Sequence, residues 1–61
     1  MIDLKAERQR FGLTQQQLAE KTGLKRTYIA QAEIGGFTPT PKKAMLLAEA
    51  LGFDWRKFYE D

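Results

Sequence analysis

One short stretch of this chain carries a closely spaced set of side chains that can form directional hydrogen bonds. Within residues 25–31 the set comprises Lys25, Arg26, Thr27, Tyr28 and Gln31. Arginine can donate two hydrogen bonds to guanine O6 and N7, glutamine can pair in the same way with adenine, and the threonine methyl can contact a thymine methyl. If these side chains share one exposed helix face, their types suit the reading of base edges. The alternative is an ordinary solvated helix face.

Side chains for most catalytic and metal chemistry are missing. The 61 residues include no cysteine, histidine or serine, which excludes disulfides, the usual zinc sites, a serine nucleophile and most general-base arrangements. The carboxylates lie mostly on predicted helix surfaces or at helix ends, where solvation and capping explain them. We therefore expect no enzymatic activity, no metal and no other cofactor, and no small-molecule ligand is evident.

The length of the chain predicts one domain, residues 1–61, close to the lower limit for folding without a disulfide or metal. No apolar run approaches the ~20 residues of a membrane span, and no signal-peptide pattern opens the chain. We expect a soluble, cytoplasmic protein that does not interact with membranes.

Positive charge is concentrated in the middle of the chain. Residues 21–43 contain five basic residues and one acidic residue, a net charge of +4, whereas the remainder carries −2 and the whole chain +2. Such a run is often only a solvated face. Because this one coincides with residues 25–31 and with the start of the next predicted helix, it favours a surface that faces phosphates.

The side chains at residues 25–31 belong to the second of two short helices, predicted at residues 15–22 and 26–33. Gln15, Ala19, Gly23 and Ile29 have the spacing of two helices that cross at a tight turn. A small residue at position 19 allows close approach, and Gly23 can adopt the left-handed conformation that ends the first helix. The pattern is that of a helix-turn-helix, with a plain helical hairpin as the alternative.

Three further helices are predicted around this pair, which makes the chain all-α with five helices. The first runs over residues 4–11 after an Asp3 cap, with Leu4 and Phe11 as its apolar seam. The fourth covers residues 41–51 and the fifth residues 55–59.

Local signals mark the helix ends. Thr14 and Gln17 form a capping box for the second helix, Thr40 caps the fourth, and Asp54 caps the fifth. Lys42 and Lys43 occupy the first turn of the fourth helix, where the helix dipole disfavours cations. We therefore predict that both lysines contact phosphates.

The joint order of these positions resembles the Cro/cI-type (XRE-like) helix-turn-helix family of phage and bacterial repressors, from Leu4 to Tyr59. The resembling positions are Arg8, Leu13-Thr14-Gln15, Leu18-Ala19-Glu20, Gly23-Leu24, Ile29, Glu33-x-Gly35, Pro39 and Leu47-Ala48-x-Ala50-Leu51-Gly52. The resemblance implies a compact five-helix, lambda-repressor-like domain with the helix-turn-helix at helices 2 and 3. It also implies sequence-specific binding of duplex DNA by a transcriptional regulator.

The resemblance assigns roles to individual residues. It implies an ion pair between Arg8 and Glu33 that joins the first helix to the third, and a Gln15 that bonds a DNA phosphate and braces the third helix. Base reading falls to Arg26, Thr27 and Gln31, while Lys25 and Tyr28 contact either bases or the backbone.

The chain departs from the family pattern at two positions. Lys25 replaces the usual serine or threonine cap of the third helix, and Phe37 stands where a polar residue is usual. Phe37 is either packed onto the core or available to a partner subunit, and both possibilities remain open.

Aromatic residues near the chain end predict part of the core and a partner surface. Phe53, Trp55 and Phe58 close the core, and an exposed Tyr59 adds to a homodimer seam, with dimerisation expected at least on DNA. The competing hypothesis is a protein-interaction module, such as an antirepressor or adaptor, that uses Phe37, Trp55 and Tyr59 and reads no bases.

Overall fold

Four α-helices and one 3-10 turn make up the secondary structure of the residues described, 2–35 and 37–59, in a computed structural model. In chain order they are α1 (Leu4–Arg10), α2 (Gln15–Thr22), α3 (Arg26–Ile34), α4 (Pro41–Leu51) and the 3-10 turn (Trp55–Phe58). α2 packs against α3 and α4, α1 packs against α3, and the 3-10 turn packs against α4. The all-α class is confirmed.

The first two helices begin at the predicted caps. The Asp3 carboxylate accepts a hydrogen bond from the Ala6 N–H at 3.1 Å. Thr14 Oγ1 accepts from the Gln17 N–H at 3.0 Å, and Gln17 Oε1 accepts from the Thr14 N–H at 2.8 Å. The N–H groups of Thr14 and Gln17 are thus both satisfied by side chains of the same four-residue segment, as a capping box requires.

The tight turn between α2 and α3 depends on glycine at position 23. Gly23 has a φ of +77°, a left-handed conformation that costs other residues steric strain. Its N–H donates to the Ala19 carbonyl at 2.8 Å and so ends α2. Ala19 is itself buried in the core, which agrees with the need for a small side chain where the two helices pack.

The core draws one or more apolar side chains from every element. Burying a leucine or isoleucine fully stabilises the fold by about 1.5–3 kcal/mol, so the four fully buried large side chains make the largest contributions. They are Leu18, Ile29, Leu47 and Leu51.

The expected apolar seam of α1 is only half present. Leu4 is buried, but Phe11 is 53% exposed. α1 ends at Arg10, and Phe11 leaves the helical path as its C-cap residue. The prediction that Phe11 continues the apolar seam of the first helix was wrong, because the i, i+7 pattern runs past the end of the helix.

The predicted fifth helix is a 3-10 turn, so a five-helix count is not what the structure contains. Its hydrogen bonds run from Lys57 N–H to Asp54 C=O and from Tyr59 N–H to Arg56 C=O. This i→i+3 pattern eclipses residues three apart, which directs Trp55 and Phe58 to the same side. Phe58 is buried and Trp55 partly buried against the core.

The start of α4 follows the prediction in position but not in capping. Thr40 is the N-cap residue and Pro41 is the first helical residue. The Thr40 side chain makes no capping hydrogen bond. Pro41 has no N–H, so the first turn of α4 has one unpaired donor fewer than an ordinary helix start.

Candidate nucleic-acid interface

The N-terminal half of α3 presents its polar side chains to solvent. Lys25, Arg26, Thr27 and Gln31 are exposed, whereas Tyr28 is half-buried. Gln31 lies four residues after Thr27 and therefore on the same helix face. A shallow groove between α2 and the start of α3 includes Lys25, Arg26 and Thr27 in its lining. The structure thus leaves four of the five predicted base-reading residues exposed, and three of them line this groove.

The first turn of α3 has backbone donors that no side chain caps. Lys25 occupies the N-cap position with extended backbone, and its side chain makes no capping hydrogen bond. The first N–H groups of a helix have no partner within it, and the dipole makes this end partially positive. The lysine that replaces the usual cap residue adds a formal positive charge at the same point.

The opposite end of α3 is held by a partly buried ionic network. Arg8 Nε donates to Glu33 Oε2 at 2.6 Å and Arg8 Nη2 to Glu33 Oε1 at 3.3 Å, so the pair is bidentate. Arg8 Nη1 also donates to the Leu13 carbonyl at 2.6 Å. The ion pair expected between Arg8 and Glu33 is present, and it ties α1 and the α1–α2 loop to α3.

Gln15 belongs to the same network. Its Nε2 donates to Glu33 Oε1 at 3.1 Å, across the helix-turn-helix. This contact corresponds to the bracing role implied by the family resemblance. One amide hydrogen of Gln15 is engaged there, which leaves its second hydrogen for a phosphate. The phosphate contact of Gln15 stays a prediction.

Lys42 and Lys43 extend the positive surface from α3 to the start of α4. Both are exposed. The Nζ atom of Lys43 lies 4.4 Å from the centroid of the Tyr28 ring, a cation–π contact that brings the first turn of α4 next to α3. Their phosphate contacts also stay predictions.

Tyr28 packs between elements instead of projecting freely. Its ring centroid lies 5.3 Å from that of Phe37, which answers the question about Phe37 in part: the ring rests on Tyr28 while remaining exposed. Burial is the main cause that raises the pKa of the Tyr28 phenol above 10.0; the nearby Tyr59 phenol adds to the rise, and a backbone hydrogen bond from Thr40 opposes it.

The aromatic residues at the chain end divide between core and surface. Phe58 is buried and contacts Phe53 with the two rings tilted at 53° and 5.5 Å between ring centroids. Tyr59 is exposed on one side, packs against Trp55, and donates from its hydroxyl to the Pro39 carbonyl at 2.7 Å. Its hydroxyl therefore ties the chain end to the α3–α4 loop.

Sequence reasoning did not identify Glu33 as the residue that Gln15 contacts when it braces α3. It also missed the contacts of Lys43 with Tyr28 and of Tyr59 with Pro39. A signal existed for one of them, because Tyr28 lies four residues before the inward-facing Ala32 and so borders the buried stripe of α3. The other contacts join residues that are 18 and 20 positions apart, and no local pattern marks them.

No helix in the part of the chain that the structure describes is long and apolar enough to cross a membrane. Within residues 2–35 and 37–59, no three side chains of the metal-binding types form a cluster that could hold an ion.

Comparison with known proteins agrees with this architecture. A model of the helix-turn-helix family matches residues 4–58. YqaF of Bacillus subtilis (strain 168), described as an uncharacterised HTH-type transcriptional regulator, is 36% identical over 58 residues, which cover 95% of this chain and 76% of YqaF. No solved structure gave a significant match. The family resemblance is thereby confirmed, and the chain belongs to the XRE-like helix-turn-helix family of DNA-binding regulators.

Proposed function

We propose that this protein is a transcriptional regulator of the repressor type that binds duplex DNA at a specific sequence. α3 enters the major groove by its N-terminal end, and α2 lies across the sugar–phosphate backbone. Arg26, Thr27 and Gln31 contact base edges, and Lys25 contacts either a base or a phosphate.

The observation that carries this proposal is the exposure of these four side chains on a helix whose C-terminal end is bonded to two other elements. The N-terminal half of α3 is open to solvent, while its C-terminal end is tied to α1 and α2 through Glu33. Specific base contacts need side chains that are both accessible and positioned in advance, because ordering them on binding would reduce affinity.

Backbone contacts complete the proposed interface. Gln15, at the first turn of α2, and Lys42 and Lys43, at the first turn of α4, supply donors to phosphates. Each neutralised phosphate releases counterions, so binding should weaken steeply as the salt concentration rises. A protein with this function acts where the DNA is, which in a bacterial cell is the cytoplasm.

The proposed binding unit is a homodimer on a near-palindromic site. One small domain reaches only a few bases and phosphates, and a second copy on a half-site about one helical turn (~34 Å) away restores affinity. Exposed aromatic side chains at Phe37 and Tyr59 support a contact between copies through the α3–α4 loop and the chain end.

A second candidate function, a protein-interaction module without base reading, is favoured by one specific observation. Several large apolar side chains are exposed, among them Ile34 at 76% and Phe11 at 53%. Groups of exposed apolar side chains can mark protein-binding surfaces. On this hypothesis the exposed aromatic residues bind the partner, and α3 contacts no DNA.

Selection from a pool of random duplex DNA at moderate salt separates the two hypotheses. The proposed regulator enriches a two-fold symmetric motif, and Arg26→Ala loses binding while Gln31→Ala changes the preferred base. Lys57→Ala is the matched control, since it removes an exposed cation on the 3-10 turn outside this surface. Enrichment of a single half-site would contradict dimeric binding but would still support base reading. If the folded protein enriches no motif, the DNA-reading hypothesis is contradicted and the interaction module is favoured. Tyr59→Ala should then impair binding of the protein partner.

A further inference from the structure

Tyr28 differs from the other predicted base-reading residues in its surroundings. Its side chain is half-buried and packs against the core, whereas Lys25, Arg26, Thr27 and Gln31 are exposed. Its ring contacts Phe37 from the α3–α4 loop and lies beneath the ammonium group of Lys43 from α4. A side chain held in this way by two other segments is poorly placed to adapt to a base edge.

We propose that Tyr28 is a positioning residue whose ring holds the Lys43 ammonium group beside α3, where Lys43 donates to a DNA phosphate. This inference rests on the proposed DNA-binding function. It replaces the role of Tyr28 in base reading with a role that acts through Lys43.

The geometry allows Lys43 to make both contacts at once. An ammonium group over an aromatic face is attracted by the ring quadrupole, and it carries three N–H donors. Lys43 is exposed, so the side of its ammonium group away from the ring can donate to an oxygen. The ring restricts a flexible four-carbon side chain before DNA arrives, which reduces the conformational entropy lost on binding.

Lys42 provides an internal comparison. It precedes Lys43 in the first turn of α4 and is also exposed, but the cation–π contact with Tyr28 is made by Lys43. If both lysines contact phosphates, only the contribution of Lys43 should depend on the ring at position 28.

A double-mutant cycle tests the proposal on the duplex that the wild-type protein selects. Affinity is measured across a salt series for the wild type, Tyr28→Leu, Lys43→Gln and the double variant. Lys43→Gln should reduce the slope of log K against log salt by about one. Tyr28→Leu should weaken binding about two- to fivefold, the effect of an exposed cation–π contact. In the Lys43→Gln background the same change should have little effect.

Tyr28→Phe and Lys42→Gln are the controls. Phenylalanine keeps the ring and should keep the affinity, the salt slope and the coupling to Lys43. Lys42→Gln should lower affinity without any coupling to Tyr28. The proposal would be overturned if Tyr28→Leu lowered affinity equally in the wild type and in Lys43→Gln. It would also be overturned if Tyr28→Phe lowered affinity as much as Tyr28→Leu.

The NMR spectrum of the free protein gives a second test that depends neither on Tyr28→Leu folding nor on DNA. The ring should shift the Lys43 ε-methylene protons upfield in the wild type and in Tyr28→Phe, and ordinary shifts for these protons would overturn the positioning role. If the wild type binds no duplex, the proposed function fails together with the phosphate contact, even if the shift is present. If it binds and the cycle shows no coupling, only the positioning role fails.

Discussion

Removing the Glu33 carboxylate tests the network that holds α3 in place. In Glu33→Ala, the Arg8 guanidinium loses its bidentate partner and Gln15 Nε2 loses its acceptor. Arg8 keeps its hydrogen bond to the Leu13 carbonyl. The variant therefore leaves a charged group largely removed from water without a counter-charge.

The burial of the pair sets the expected magnitude. The side chains of Arg8 and Glu33 are 10% and 5% exposed. Breaking a buried ion pair from one side costs about 3–5 kcal/mol, against roughly 0–1 kcal/mol for an exposed pair. We expect about 3 kcal/mol, the lower end of that buried range, because Arg8 retains the Leu13 contact. A 61-residue domain has a total free energy of unfolding of only about 3–9 kcal/mol.

Urea denaturation at low temperature, followed by circular dichroism at 222 nm, measures this loss. The midpoint should fall strongly in Glu33→Ala, and thermal unfolding should shift by roughly 12–24 °C, at about 4–8 °C per kcal/mol for a domain of this size. Glu33→Gln keeps an acceptor and the side-chain volume, so it should be destabilised less than Glu33→Ala.

Glu7→Ala is the matched control. Glu7 pairs with Arg10 at 3.1 Å, but the Arg10 side chain is 72% exposed, so this change should cost no more than about 1 kcal/mol. If Glu33→Ala is no more destabilising than Glu7→Ala, the reasoning is refuted. A complementary variant replaces both charges, Arg8→Met with Glu33→Leu, and should recover much of the stability lost in either single change, because no unpaired charge remains.

Three further predictions concern the site and its supports. Arg26→Ala should lower affinity for the selected duplex by about 1–3 kcal/mol and relax preference at one base pair; an unchanged preference in a repeated selection would remove Arg26 from base reading. Gly23→Ala should lower the free energy of unfolding by about 1–2 kcal/mol. The cause is the φ of +77° alone, since an added Cβ meets nothing within 4 Å, and an unchanged urea midpoint would contradict it. Hydrogen bonding by Arg56 lowers the pKa of Asp54 to about 2. The contribution of the Asp54 carboxylate to stability should therefore be complete above about pH 4 and disappear as the pH falls towards 2. In Asp54→Asn, the urea midpoints at pH 5 and pH 2.5 should differ less than they do in the wild type. An equal difference in wild type and variant would contradict this.

Most helix boundaries could be predicted from sequence because their signals are local. Asp3, Thr14 with Gln17, and Gly23 act on backbone groups within four residues, so their effect depends little on the rest of the molecule. Local signals are insufficient at Phe11, where the periodic pattern continues past the end of the helix. They are also insufficient at residues 55–59, where a helix was predicted, because a short capped segment suits a 3-10 turn as well as an α-helix.

The exposure of four candidate site residues could be predicted from the sequence, whereas their contacts with DNA stay predictions. Lys25, Arg26, Thr27 and Gln31 are polar side chains on the outward half of an amphipathic helix, and helical periodicity is sufficient to place them there. Their type and spacing in the sequence indicated the chemistry they can perform.

The sequence by itself determined the four α-helices, the turn at Gly23 and the polar face of α3, because each follows from forces between near neighbours in the chain. Only the tertiary structure decided that Gln15 bonds Glu33 and that the Tyr28 ring lies beneath Lys43. These partners are 18 and 15 residues apart, and they meet because α2, α3 and α4 pack at a particular distance and angle. That packing is set by the whole buried core, so no short stretch of sequence records it.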